Sequence, residues 1–175
     1  MRQVSDVESA REIQIWYARV EDWAQHANLI DELLTPGWRE RADQAARSED
    51  RFLRRLAYAL LRHSATMASA AQVESLDVQE ATQGKPRFVR DSINFSFSFS
   101  HTKGLAVVAT SRGMLVGVDA EAVDRRIDLS LLLQSLSDDE RTFVNEKNAD
   151  VRPSYFLEIW TLKEALLKAT EEGLA

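Results

Sequence analysis

Two strand-like runs, residues 93–100 (INFSFSFS) and 105–111 (LAVVATS), constrain the fold more than any other part of the chain. The first alternates apolar and polar residues, the second is rich in small and β-branched residues, and a short segment ending in Gly104 separates them. This pattern predicts an antiparallel hairpin. Residues 114–121 (MLVGVDAE) follow a turn-forming pair at residues 112–113, so we predict a third strand and an antiparallel meander.

The region before the hairpin predicts one strand and two helices. Residues 13–20 (IQIWYARV) have the β-branched and aromatic content of a strand, and residues 21–34 predict a helix closed by the Thr-Pro-Gly sequence at residues 35–37. Ser48 is a candidate cap for a longer helix. Helical spacing predicts that this helix buries a stripe made of Phe52, Leu53, Leu56, Leu60 and Met67.

The region after the strands is again helical in pattern. Ser137 and Glu140 have the spacing of a capping box at a helix start, and residues 153–174 predict a long amphipathic helix with Pro153 near its beginning. We therefore expect an α+β fold in which helices pack on an antiparallel sheet.

Composition limits the class of protein. The 175 residues, 45% of them hydrophobic, suit a single domain with one real core. The absence of cysteine excludes disulfides, thiolate metal sites and a cysteine nucleophile. The net charge of -6 argues against general nucleic-acid binding, and no apolar run reaches the length of about 18 residues expected of a membrane span. We expect a cytoplasmic protein without a membrane or nucleic-acid partner.

Asp119 and Glu121 are the most pointed candidates for metal binding. Residues two apart in an extended segment face the same side, so the two carboxylates would project together. Carboxylates at this spacing suit Mg²⁺, which binds one or two of them together with substrate phosphates and water. The alternative interpretation is an acidic loop that follows a strand.

Each of the other candidate residues, taken singly, is explained equally well by a structural or solvent-exposed role as by a functional one. Trp160, Glu164 and Lys168 share one helix face, but Glu164 and Lys168 also form a common surface pair worth about 0.2–0.5 kcal/mol. Lys85 in a Gly-Lys-Pro turn can be a solvated lysine, and His101 a hydrogen-bonded structural histidine. The arginines of the Ser48 helix, interpreted as a solvated face or an anion site, are Arg51, Arg54, Arg55 and Arg62.

The order of these clusters resembles the Sfp-type 4'-phosphopantetheinyl transferases. GKP (residues 84–86), FSFSHT (97–102), GVDAE (117–121) and WTLKEALLKA (160–169) are similar to successive motifs of that family. The resemblance covers nearly the whole chain, because three further segments resemble the family's first strand and its N-terminal helices: IQIWYARV, LTPGWRERA and RFLRRLAYALLR.

The resemblance implies a bound coenzyme A. Lys85 and His101 would contact its phosphates, the backbone around Pro86 would lie near the adenine, and Ser100 would lie beside them. The family directs an arginine at the 3'-phosphate, and the candidates here are, in order, Arg54, Arg55 and Arg51.

The resemblance also implies a magnesium ion and a reaction. Asp119, Glu121 and Glu164 would be the metal ligands, and Lys168 would contact the pyrophosphate of coenzyme A. A serine of an apo acyl or peptidyl carrier protein would attack the phosphate that bears pantetheine, with Glu164 taking the serine proton and Lys168 stabilising the departing phosphate.

The chain departs from the family pattern at several places, and Glu171, for example, stands about where the family has a glycine. Ser98 stands where the family usually has asparagine, so we expect a weaker hydrogen bond at this strand end. The family continues into further strands after the last motif. We therefore expect residues 1–118 to form a complete first half of the fold and residues 119–175 a partial second half without its C-terminal strands. The chain is then either a fragment of a longer enzyme or one that shields the uncovered surface by self-association, by a rearranged helix packing or by contact with another polypeptide.

Two alternatives remain from the sequence. One is a truncated, non-catalytic relative that binds coenzyme A or a nucleotide, and turnover on a carrier protein separates it from a transferase. The other is a structural, helix-rich interaction domain, which predicts no magnesium-dependent binding of coenzyme A.

Overall fold

The structure is a computed structural model that describes residues 12–68, 78–79, 87–88 and 95–170. This part of the chain contains helices and two small sheets. In chain order the elements are β1 (Ile13–Arg19), α1 (Val20–Trp23), a 3-10 turn (Ala24–His26), α2 (Ala27–Leu33), α3 (Pro36–Asp43), α4 (Ser48–Ala68), β2 (Val78–Gln79), β3 (Arg87–Phe88), β4 (Phe95–Thr102), β5 (Leu105–Arg112), α5 (Leu129–Leu132), a 3-10 turn (Leu133–Ser135), α6 (Asp138–Asn145) and α7 (Arg152–Thr170).

The main sheet has three antiparallel strands in the order β1-β5-β4. The predicted hairpin is confirmed: β4 and β5 pair from Thr102 opposite Leu105 to Phe95 opposite Arg112. Gly104 has a φ of 71°, a left-handed conformation that the tight turn requires and that glycine adopts without steric cost. Helices pack on this sheet, which confirms the expected α+β fold class.

The predicted third strand at residues 114–121 is wrong. Residues 115–120 have no regular secondary structure and add no strand to the sheet. We call residues 115–119 the crossing segment, because they run along β4 and then pass helix α7. The N–H groups of Val116 and Val118 donate to serine hydroxyls of β4, so side chains replace the backbone ladder that a strand would need.

The predicted helix over residues 21–34 is interrupted. It forms as α1, a 3-10 turn and α2, and the Thr-Pro-Gly sequence that was expected only to close it also starts α3. Thr35 is the N-cap of α3, with its Oγ1 accepting from the N–H of Trp38, and Pro36 occupies the first turn. Proline is tolerated there because the first N–H groups of a helix have no intrahelical partner.

Helix α4 supplies more buried residues to the larger core than any other element of the described chain. Leu53 and Leu56 are buried, and Phe52 and Leu60 pack at the edge of the same cluster. Met67 was predicted in this stripe but is 66% exposed in the last turn of the helix. The members of the cluster that are at most 1% exposed come from four elements and are Ile30, Trp38, Ala42, Ala57, Leu61, Ala106 and Val108.

A second, smaller cluster holds α6 and α7 together and contains Leu136, Val144, Phe156 and Leu157. The predicted capping box is confirmed, because the Ser137 hydroxyl accepts from the Glu140 N–H and the Glu140 carboxylate accepts from the Ser137 N–H. Leu162 and Leu166 of α7 remain 71% and 63% exposed. None of the helices in the described part of the chain is long and apolar enough to cross a bilayer.

Candidate functional site

The candidate site begins at the end of β4, where alternation places Ser96, Ser98 and Ser100 on one face of the strand. This is the face along which the crossing segment runs. The Ser100 hydroxyl donates to Oδ1 of Asp119 at 2.8 Å. The strand pattern and the acidic motif, which are well separated in sequence, therefore meet through one hydrogen bond.

Lys168 of α7 closes this group from the opposite side. Its Nζ donates to Asp119 Oδ1 at 2.7 Å, to the carbonyl oxygen of Val118 at 3.3 Å and to Ser100 Oγ at 3.3 Å. The Asp119 side chain is only 8% exposed, whereas that of Lys168 is 32% exposed. The ammonium group thus joins three chain segments at the edge of solvent.

The two carboxylate oxygens of Asp119 differ in their hydrogen bonding. Its Oδ2 is buried and has no hydrogen-bond partner, although Oδ1 accepts from both Ser100 and Lys168. A buried carboxylate oxygen without a partner is costly unless a ligand or ion completes it. This oxygen is the feature of the described chain that best fits a cation.

His101 follows Ser100 and lies among charged groups from two helices. Burial lowers the pKa of the His101 imidazole below its ordinary value of 6.5, and the cations Arg54 and Lys168 lower it further, while Asp50 opposes them. The uncharged imidazole is therefore favoured in the protein alone. Two cations beside a neutral histidine make a local environment suited to anions, despite the acidic net charge of the chain.

The neighbouring arginines of α4 have different partners. Arg55 donates to Asp31 at 2.9 Å and to Asp43 at 2.6 Å, and so connects α4 with α2 and α3. Arg51 donates to the carbonyl oxygens of Ala45 and Ala46. Of these three arginines, Arg54 is the one whose charge acts on the His101 imidazole and lowers its pKa.

The three predicted metal ligands are not brought into one cluster. Glu121 accepts from the Arg125 guanidinium at 2.6 Å, and the Glu121 side chain is 17% exposed. Glu164 is partly buried on α7, one turn before Lys168. Within residues 12–68 and 95–170 and the two short strands, no three aspartate, glutamate or histidine side chains are grouped so that they could hold a metal ion. Lys85 and Pro86 lie outside the described residues.

Sequence reasoning missed two contributors to this geometry. The sequence indicates Ser96 only as part of a strand and Ser98 as a replacement for the family's asparagine, but both hydroxyls accept from the crossing segment, from the N–H groups of Val116 and Val118 at 3.2 Å and 3.1 Å. The bond that was expected to weaken at Ser98 is thus present with serine as the acceptor. Gly117 was noted only within a motif, although it contacts the backbone of α7. The serines at every second position of β4 were the sequence signal that could have indicated hydroxyl acceptors on one face of the strand.

Comparison with known proteins gives a consistent result. Residues 115–175 match the sequence profile of the 4'-phosphopantetheinyl transferase superfamily. The chain is 33% identical to 4'-phosphopantetheinyl transferase psf-1 of Bacillus pumilus over 116 residues, which are 66% of this chain and 48% of that protein. It is 26% identical to 4'-phosphopantetheinyl transferase Sfp of Bacillus subtilis over 144 residues, or 81% of this chain and 62% of that one. The matched regions span about half the length of these relatives.

Proposed function

Because residues 115–175 match the 4'-phosphopantetheinyl transferase superfamily and the chain is similar to named members of it, we propose that this chain belongs to that family. It would transfer the 4'-phosphopantetheine group of coenzyme A to a serine of an acyl or peptidyl carrier protein. The observation that carries this proposal is the contact of Lys168 with Asp119 and Ser100, which joins the last family motif to the two before it. We also propose the cytoplasm as the place of the reaction.

The proposed coenzyme A site uses the cations around His101. Arg54 and Lys168 would neutralise phosphate charge, and the His101 imidazole would donate an N–H or gain a proton when a phosphate binds. Ser100 would offer its hydroxyl beside them. Lys85 and the backbone of Pro86 complete the proposed site, on the family resemblance alone, and Arg55 is a weaker candidate because two carboxylates already hold it.

Asp119 fits the proposed magnesium ion, because its buried Oδ2 is without a partner. Glu121, whose Oε1 accepts from Arg125, and Glu164 would be the second and third ligands. Three carboxylates near one another repel unless a cation balances them, so the separate partners of Asp119 and Glu121 are compatible with a metal-free chain. When bound, Mg²⁺ would neutralise charge on the pyrophosphate.

The proposed reaction is a phosphoryl transfer that depends on position and charge neutralisation. The serine oxygen of the carrier protein forms a bond to the phosphorus that bears pantetheine, and the bond from that phosphorus to the oxygen of 3',5'-ADP breaks. The serine proton passes to Glu164, and the leaving group departs as 3',5'-ADP. Lys168 stabilises the negative charge that grows on the leaving phosphate.

The direct test incubates the protein with Mg²⁺, a fluorescent coenzyme A and several apo carrier proteins, and identifies the labelled residue by mass spectrometry. We expect a labelled serine on at least one carrier protein. Lys168→Ala should lower kcat about a hundredfold or more, as loss of a transition-state donor does. Asp119→Ala should remove the magnesium-dependent transfer. Lys103→Ala, at an exposed lysine of the β4–β5 turn, is the control and should keep the parent rate.

A non-catalytic binder of coenzyme A or a nucleotide is the second candidate. The observation in its favour is that the described residues do not group three carboxylates for a metal, whereas the cations at His101 would suffice to bind phosphates. Calorimetric binding of coenzyme A that does not depend on Mg²⁺, together with no labelling of any carrier protein, would favour this candidate over the transferase.

We further propose that the chain self-associates through α7, where Leu162 and Leu166 are largely exposed. Exposed apolar patches often mark contact sites. Light scattering over a range of concentrations should show a mass that rises with concentration in the parent chain and less so in Leu162→Glu. A monomer at all concentrations would contradict self-association.

A further inference from the structure

Gly117 lies where the crossing segment passes helix α7, and the contact is between backbones. A Cβ added at Gly117 would lie 1.8 Å from the carbonyl oxygen of Ala165 and 2.6 Å from the amide nitrogen of Ala169. Both are helix backbone atoms, which cannot rotate away as the end of a side chain can. A residue larger than glycine therefore requires the segment or the helix to move.

The opposite side of the crossing segment is held by the serines of β4. Ser96 and Ser98 accept from the N–H groups of Val116 and Val118, the residues on either side of Gly117. Ser98 is 3% exposed, so its bond is shielded from water. The segment is thus fixed from two sides, by hydroxyl acceptors on the strand and by backbone contact on the helix.

We propose that Gly117, Ser96 and Ser98 are positioning residues that set the separation between Asp119 and Lys168. Asp119 is two residues after Gly117, and Lys168 is on the same turn of α7 as the Ala165–Ala169 contact. Any outward shift of the segment lengthens the bond of 2.7 Å between Lys168 Nζ and Asp119 Oδ1. We call the contacts of Ser96, Ser98 and the α7 backbone with the crossing segment the clamp. The importance of this separation for catalysis rests on the proposed transferase function, but the existence of the clamp does not.

Amide hydrogen exchange measured by NMR tests the clamp without any substrate. Gly117→Ala should speed exchange at the amides of Val116 and Val118 about tenfold to a hundredfold, the range expected when an extra atom overpacks a contact. Gly37→Ala is the matched control, because a Cβ there meets nothing within 4 Å, and it should leave these amides unchanged. Unchanged exchange at both amides in a folded Gly117→Ala protein would overturn the proposal.

The serine variants decide the question if Gly117→Ala does not fold. Ser98→Ala should speed exchange at Val118 roughly fivefold, the effect of losing one ordinary hydrogen bond. Ser98→Thr keeps a hydroxyl and should restore protection. The control is Ser111→Ala on the neighbouring strand β5, because this buried hydroxyl bonds only to the adjacent carbonyl of Arg112 among the contacts of the described chain. Equal exchange in Ser98→Ala and Ser111→Ala would contradict the clamp.

Kinetics separates positioning from simple structural support. In an active parent, Ser98→Ala should lower kcat several-fold with little change in KM for coenzyme A, and Ser98→Thr should recover kcat. A variant with faster exchange at Val118 but parent kcat and KM would overturn the positioning role. If the parent itself shows no transfer, the proposed function fails, and hydrogen exchange alone then decides whether the clamp exists.

Discussion

Arg54 and Arg55 are adjacent residues of α4 whose side chains interact with different partners. Successive helical residues point about 100° apart, so Arg55 reaches Asp31 and Asp43 while Arg54 acts on His101. We predict that Arg55→Ala lowers the free energy of unfolding by about 1–2 kcal/mol, because two partly exposed carboxylates lose their partner. Arg54→Ala should leave stability near that of the parent and raise KM for coenzyme A.

Urea unfolding and steady-state kinetics on both variants check this pair. The two substitutions serve as controls for each other, since they remove the same side chain from neighbouring positions. An increase in KM for Arg55→Ala that exceeds the increase for Arg54→Ala would assign the phosphate contact to the other arginine.

His101 gives a prediction for pH dependence. Its pKa is lowered by burial and by the cations Arg54 and Lys168, so the unfolded chain takes up a proton at a higher pH than the folded chain. The stability linked to His101 is therefore fully present above the ordinary pKa of 6.5 and is lost as pH falls through the lowered pKa of the folded protein. His101→Gln should reduce this loss of stability on the acid side.

NMR titration of the His101 ring protons measures the same effect directly. The midpoint should lie below 6.5 in the protein alone, rise in Arg54→Ala because a cation is removed, and rise again when coenzyme A supplies phosphates. A midpoint at or above the ordinary value in the ligand-free protein would show that the imidazole is not in this environment.

At the scale of elements, one carboxylate both begins α6 and connects it to α7. Glu140 completes the capping box with Ser137 and accepts from Lys163 of α7 at 2.7 Å. The hydrogen bond from Lys163 lowers the pKa of Glu140 most, and the hydrogen bond from the Ser137 N–H lowers it further. The position of α7, and with it Lys168, thus depends partly on this short helix.

We predict that Glu140→Gln destabilises the protein by about 0.5–1 kcal/mol, since glutamine can still accept the capping bond but loses the charge that attracts Lys163. The difference from the parent should be present above the ordinary pKa of a glutamate and vanish as pH falls through the lowered pKa of Glu140. A double-mutant cycle with Lys163→Met measures the coupling. A coupling energy near zero at neutral pH would mean that the pair does not hold the helices together.

At the scale of the molecule, the two apolar clusters differ in size and in what depends on them. The larger cluster joins β1, β4 and β5 to α2, α3 and α4, whereas the smaller one has only four buried members between α6, α7 and the preceding turn. Less buried apolar area gives a lower free energy of local opening. Lys168 and Glu164 lie on the less supported of these two parts.

We therefore predict faster amide exchange in α6 and α7 than in the paired strands β4 and β5 and the centre of α4. Coenzyme A with Mg²⁺ should slow exchange selectively in α7, because a ligand that binds only the assembled site stabilises it by mass action. Exchange in α7 as slow as in β4 and β5 without ligand would contradict the unequal support inferred from the clusters.

The sequence alone determined the features that depend on neighbouring residues. The β4–β5 hairpin follows from alternation and from Gly104, and the capping box of α6 follows from the spacing of Ser137 and Glu140. Each of these is a local pattern, in which the chemistry that decides the structure lies within a few residues.

Only the tertiary structure decided the features that depend on distant partners. Residues 114–121 have the composition of a strand, but the serine hydroxyls of β4 and the backbone of α7 occupy the positions where a strand would need backbone partners. The ion pairs of Arg55 depend on the positions of Asp31 and Asp43, which lie on two other helices. Asp119 was recognised as an acidic site residue from sequence, but its bonds to Ser100 and Lys168 and its buried Oδ2 arise from contacts across the fold, which no local pattern contains.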